Sequence, residues 1–157
     1  MNLARLALIA SLSFAACDSD NDRTSTLGED ACAHFADGPI IAATAGASAS
    51  AALDVSVEAT RYDLTLGTVG AARGGFVKVT VASAGTRTFY FDTAVDVVVT
   101  SGGGAVVQPR TVVAANGDCA TIKAERSYVL GAGTYIFALT TNATTDPVLL
   151  VWLDSAK

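Results

Sequence analysis

His34 is the only histidine in the chain, and it stands two residues after Cys32 in the stretch EDACAHF. Nucleophilic catalysis of the Ser-His-Asp or Cys-His kind would have to pass through it, since no other imidazole can serve as base. No G-x-S-x-G elbow accompanies it. A zinc or copper site needs several thiolate or imidazole ligands, and Cys32, His34 and Cys119 are too few by themselves. A structural or surface role for His34 is therefore expected, and no enzymatic activity. Hard cations need only oxygens, and Asp92 and Asp96, with Asp63 as a further acid, are weak calcium candidates. Calcium takes about 6 to 8 oxygens at once, no D-x-D-x-D-G loop occurs, and neither a metal nor a cofactor is expected. RGGF and SGGGAVV are not phosphate cradles, because a strand rather than a helix follows each. They read as hairpin turns.

The three cysteines set the organisation. An odd count in an exported chain asks for an explanation. Residues 1–16 carry Arg5, the apolar run from Leu6 to Leu12 and the small pair Ala15-Ala16 before Cys17, the layout of an export signal. That run is shorter than the ~20 residues a membrane span requires. Phe14-Ala15-Ala16-Cys17 resembles the lipobox of bacterial lipoproteins. The resemblance implies that Cys17 receives lipid and becomes the first residue of the mature chain. Asp18, directly after it, is similar to an inner-membrane retention signal of enteric bacteria. More than one acyl chain is needed for stable anchoring, and a di- or triacylated cysteine supplies that. With Cys17 so used, Cys32 and Cys119 are left to pair as a disulfide in an oxidising compartment.

Residues 17–30, rich in Asp, Ser and Thr and without an apolar period, read as a flexible acidic tether. Residues 31–157 are long enough for one domain. The chain is 51% hydrophobic and 16% charged, enough apolar material for a core. Its net charge of −5 argues against nucleic acid as a partner. From Arg61 onward the apolar residues recur at period two between Gly, Asn, Asp and Ser turns. RYDLTL, GGFVKVTVAS, TFYFD, VDVVVT, AVVQP, TVVAA, ATIKA, SYVL and GTYIFALT each predict a strand. PVLLVWL is apolar on both faces, as a central strand is, and places Trp152 in the core. AATAGASASAAL, residues 42–53, reads as a loop or an irregular edge strand. The fold class is all-β: an antiparallel sandwich of jelly-roll or Greek-key type. Residues 84–100 and 132–152 echo one another, and two similar hairpins, one in each sheet, would account for that. Among Tyr62, Tyr90, Tyr128 and Tyr135, one or two exposed rings are expected as candidate binding surfaces.

The run from Arg61 to Leu153, with RYDLTL, FYFDTAVDVVVTSGGGAVV and the Y-x-L-x-A-G-T-Y-x-F element at Tyr128 to Phe137, resembles the bacterial pre-peptidase C-terminal type of β-sandwich. ACAHFADGPIIAATA looks like the start of small bacterial lipoproteins carrying such a domain. The resemblance implies a sandwich in which Asp92 and Asp96 match an acidic pair that binds calcium in some relatives, here spread to a four-residue spacing. The function expected is that of a non-enzymatic module of the bacterial cell envelope, lipid-anchored to the inner or outer membrane. Its partner would be a protein or a polysaccharide. The alternative is a calcium- or carbohydrate-binding module using the loops near Asp92 and Asp96.

Overall fold

The structure, a computed structural model, describes residues 26–155. The predicted leader, Cys17 and residues 18–25 of the predicted tether lie outside the described residues. Thr26 caps the first element, the helix α1 (Leu27–Asp37): its hydroxyl accepts from the Glu29 amide while the Glu29 carboxylate accepts from the Thr26 amide. This reciprocal box satisfies two orphan donors of the first turn. The helix therefore takes in residues 27–30, which the sequence pattern assigned to the tether. Gly28, Ala31 and Phe35 bury one stripe.

Twelve strands follow. They are β1 (Ile40–Thr44), β2 (Leu53–Asp54), β3 (Arg61–Thr65) and β4 (Gly67–Val69), then β5 (Ala72–Val81), β6 (Gly85–Phe91), β7 (Asp96–Ser101) and β8 (Val106–Val107). The last four are β9 (Thr111–Val113), β10 (Ala124–Leu130), β11 (Gly133–Thr141) and β12 (Val148–Asp154). They form a sandwich of two sheets, ordered β1-β3-β12-β6-β10-β9 and β2-β5-β11-β7-β8, with β4 on β5. The sheets are mixed rather than wholly antiparallel, because β1 runs parallel to β3 and β2 parallel to β5. Residues 42–53 supply the end of β1, a short 3-10 turn at Ala49–Ala51 and the start of β2. The Ala/Ser stretch thus lies along the sandwich margin. ATIKA is not a strand: Cys119 to Ile122 close a turn, with the Ile122 amide donating to the Cys119 carbonyl. Ile122 is buried there beside Ala31, Phe35 and Cys119.

The two echoing segments are not hairpins. Each sends its first strand to one sheet and its second to the other, so β6 pairs with β12 and β7 with β11, all antiparallel. Each segment thus pairs with the other instead of with itself, and one repeated pattern serves two intertwined crossovers. Between the sheets Val77, Val79, Phe89, Phe91, Tyr128, Phe137, Leu150 and Trp152 share one core. The Trp152 indole donates to the Val55 carbonyl at 2.8 Å. A second, smaller core lies on the outer face of the first sheet, where Tyr90, Val151 and Leu153 meet Ala31 and Phe35 of α1. Central strands β6 and β12 are apolar on both faces because both faces are covered.

All four tyrosines are buried, Tyr135 the most exposed at 9%, so none provides an open aromatic platform. Tyr62 exchanges hydrogen bonds with the backbone of Val57, and the Tyr135 hydroxyl donates to the Gly131 carbonyl. The Tyr128 hydroxyl, fully buried, has no hydrogen-bond partner among the described residues. A buried hydroxyl without a partner costs roughly 1–3 kcal/mol. Tyr128→Phe is therefore expected to raise the unfolding free energy by about 1 kcal/mol, read as a higher urea midpoint at neutral pH. Burial also pushes the Tyr128 phenol up to about 12. The unfolded chain releases that proton near pH 10, so the folded state holds more protons between those values and loses stability as pH rises through them. The variant should lack this part of the alkaline loss.

Candidate functional site

The loops that carry the chain between sheets, residues 92–95 and 142–147, lie against each other at one end of the sandwich. The Thr141 hydroxyl donates to the Ala94 carbonyl at 2.7 Å and accepts from the Ala143 amide at 3.1 Å. Asp92 closes the β6–β12 ladder: its amide donates to the Leu149 carbonyl, and its carboxylate accepts from the Leu149 amide at 2.9 Å. Between the two loops and the start of β10 opens a cleft of about 310 Å³, bordered by Thr93, Asp96, Thr140, Asn142, Lys123 and Arg126. That is the lower end of the size range for small-molecule sites.

Charge distinguishes this cleft within an acidic chain. Ion pairs occupy Arg61 with Asp63, Arg73 with Asp146, Lys78 with Asp54 and Arg87 with Asp154. Among the described residues Lys123 and Arg126 pair with no carboxylate, and Asp96, which also lines the cleft, pairs with no cation. Arg126 is held by backbone carbonyls alone: Nη1 donates to Val113 and Glu125, and Nη2 to Val95. Those bonds fix the guanidinium and leave its Nε–H and one Nη2 hydrogen unused. Lys123 Nζ donates to the Ala120 carbonyl at 2.6 Å. Lys123, just before β10, and Arg126, on β10, thus line a cleft whose other polar side chains are hydroxyls, an amide and the Asp96 carboxylate.

The acids singled out in the sequence are dispersed. Asp96 begins β7 and lines the cleft. Asp92 does not line it; burial, more than any neighbour, raises its carboxyl above the usual range, with the Leu149 hydrogen bond pulling the other way. Asp63 is bound to the Arg61 guanidinium at 2.7 Å, and Arg61 also donates to the Phe35 carbonyl at the end of α1. Among the described residues no three His, Cys, Asp or Glu side chains gather as a metal site requires. Cys32 and Cys119 are joined in a disulfide, their α-carbons 5.7 Å apart, which ties α1 to the turn before β10. His34 is half-buried at the edge of a second cleft, about 290 Å³, with Asp30, Glu58 and Asp154.

No family model matches this chain, and no curated protein does. The site is accordingly read from its own geometry. The sequence pattern singles out Asp96 and not Lys123 or Arg126; it reads ATIKA, which holds Lys123, as a strand, and gives Arg126 no role. Two cations three residues apart, in a chain with 15 acids against 10 bases, were the available signal. Thr93, Thr140 and Asn142 carried none, since hydroxyls and amides crowd every bend of this sequence.

Proposed function

We propose that the chain is an exported, lipid-anchored β-sandwich of a bacterial cell envelope, a non-enzymatic binding module that offers its end cleft to a protein or polysaccharide partner. The observation that carries this reading is the pairing of Cys32 with Cys119. Disulfides persist in oxidising compartments, and the pairing leaves Cys17 as the odd cysteine, at the end of an apolar run with small residues before it. The acyl anchor would hold the chain to the inner or outer membrane. The resemblance to lipoproteins with a pre-peptidase C-terminal-like domain supports the same assignment. For a binding role, support comes from a cleft bordered by fixed side chains with unused donors. His34, by contrast, is the sole imidazole and does not border that cleft.

The test is expression of the full chain in a bacterium, fractionation, and intact-mass measurement. The chain should partition with membranes and have lost residues 1–16, gaining the mass of a diacylglyceryl group on Cys17. Cys17→Ala should abolish the lipid mass and release the protein from the membrane fraction. A mature protein with no added lipid would overturn the anchoring.

A further inference from the structure

We infer that the cleft between the crossover loops takes a carboxylate-bearing saccharide unit, of the uronate type; this rests on reading the chain as a binding module and names its ligand class. Lys123 and Arg126 are two cations without a carboxylate partner among the described residues, and both line one cavity. In a chain with net charge −5 such a pair is not explained by the surface average. Charge complementarity calls for an anionic group in this cleft, and a guanidinium held by three carbonyls is preorganised to receive it. An anion alone does not fit the remaining rim. Asp96 also lines the cleft, next in sequence to the Val95 whose carbonyl holds Arg126, and would repel a bare anion, yet it accepts from a ligand that also carries O–H donors. Thr93, Thr140 and Asn142 add neutral donors and acceptors to the lining. A hydroxylated ring with one carboxylate suits both the cations and the acid. A neutral sugar would leave the cations unmatched, and no aromatic ring lines the cleft to stack on it.

The two loops explain why the site lies here. They are the equivalent bends of two intertwined segments, bound to each other by the bond from Thr141 to Ala94 and by the clamp of Asp92 on Leu149. Their spacing is therefore set by the sandwich and not by the ligand, and binding would order little further chain.

The test uses the full chain in detergent, titrated with D-glucuronate and followed by backbone amide shifts. Saturable shifts are expected at residues 93–96 and 140–143, with D-glucose and acetate each binding far more weakly. Lys123→Gln should weaken binding about two- to fivefold, the range of one partly exposed ion pair, and Asp96→Asn should narrow the preference for D-glucuronate over acetate. Arg126→Gln should abolish binding; because Arg126 also holds three carbonyls, the exposed Lys123 provides the variant that stays folded. No saturable shift with glucuronate, equal binding of acetate, inorganic phosphate or glucose, or an affinity indifferent to Lys123→Gln would each overturn the inference. Saturable binding of glucose alone would overturn the ligand class and leave the binding-module reading standing. The intact mass of the same preparation reports on the anchor independently of either.

Discussion

Replacing both bridge cysteines, Cys32→Ala with Cys119→Ala, is expected to lower the unfolding free energy by about 4 to 5 kcal/mol, the chain-entropy value for a loop of this length. The bridge spans a sequence separation of 87, so it encloses most of the described chain. Much of its effect falls on the unfolded state, which loses the freedom to separate its ends. A second effect follows from where it sits. Helix α1 is joined to the 116–119 turn by the disulfide and by the Thr26 hydroxyl, which donates to Asp118 at 2.7 Å. Gly28 meets the same turn so closely that a β-carbon there would lie 2.7 Å from the Asn116 side-chain oxygen. Without the bridge the helix is held by its Ala31–Phe35 stripe and by polar ties such as these and the bond from Arg61 to the Phe35 carbonyl. The outer core of Tyr90, Val151 and Leu153 then opens more readily. Urea denaturation should show a lower midpoint together with a larger slope, since an uncrosslinked unfolded chain exposes more surface. Binding of a hydrophobic dye under native conditions should rise as well. A midpoint unchanged from the oxidised wild type would show that the bridge contributes nothing to stability.

How much of this was legible in the sequence depends on what each segment buries. The sandwich was readable because β5 and β11 each keep one face in the core and one toward solvent, and period two records that difference directly. β12 was recognisable as central by being apolar on both faces, although the sequence did not say that a helix covers one of them. That helix was hidden by its own chemistry. Its first four residues fall at the end of a stretch whose Asp, Ser and Thr residues resemble a tether, and Gly28 lowers its intrinsic propensity. Only the pair Thr26 and Glu29, three apart before an apolar stripe, marked its start. The echo of residues 84–100 and 132–152 was visible, but local pattern cannot distinguish a hairpin from a crossover, because pairing is decided by which sheet receives each strand. The buried tyrosines follow the same logic. A tyrosine on a strand looks amphipathic in sequence, and only the hydrogen bonds of Tyr62 and Tyr135 to nearby backbone show how its hydroxyl is accommodated. The cleft was half legible: Asp96 declared itself, while Lys123 follows a turn that the sequence pattern reads as a strand, and Arg126 carries no signal beyond its charge.

Phe89→Ala should be the most destabilising single change in the interior, at about 3 to 5 kcal/mol. On β6, Phe89 and Phe91 face the inter-sheet core while Tyr90 between them faces α1. Phe89 is the hub: its ring lies 4.5 Å from Phe137, 5.9 Å from Tyr128 and 5.9 Å from Trp152. Those partners come from β10, β11 and β12, so one truncation loosens both sheets at once. The hole it leaves cannot be closed by a rotamer change in one neighbour, because Phe137 and Tyr128 already brace each other edge-on at 5.7 Å. The cost should therefore sit toward the upper part of the range, the transfer term plus a cavity that collapses poorly. Phe89→Leu keeps most of the apolar volume and loses the ring contacts, for about 1 to 2 kcal/mol. The control is Val98→Ala on β7, whose side chain is 54% exposed on the solvent face of the second sheet. It should stay within about 0.5 kcal/mol of wild type. Urea midpoints of the three variants, measured with the bridge intact, order these expectations. If Phe89→Ala falls no further than Val98→Ala, the two sheets do not depend on this aromatic cluster for their contact.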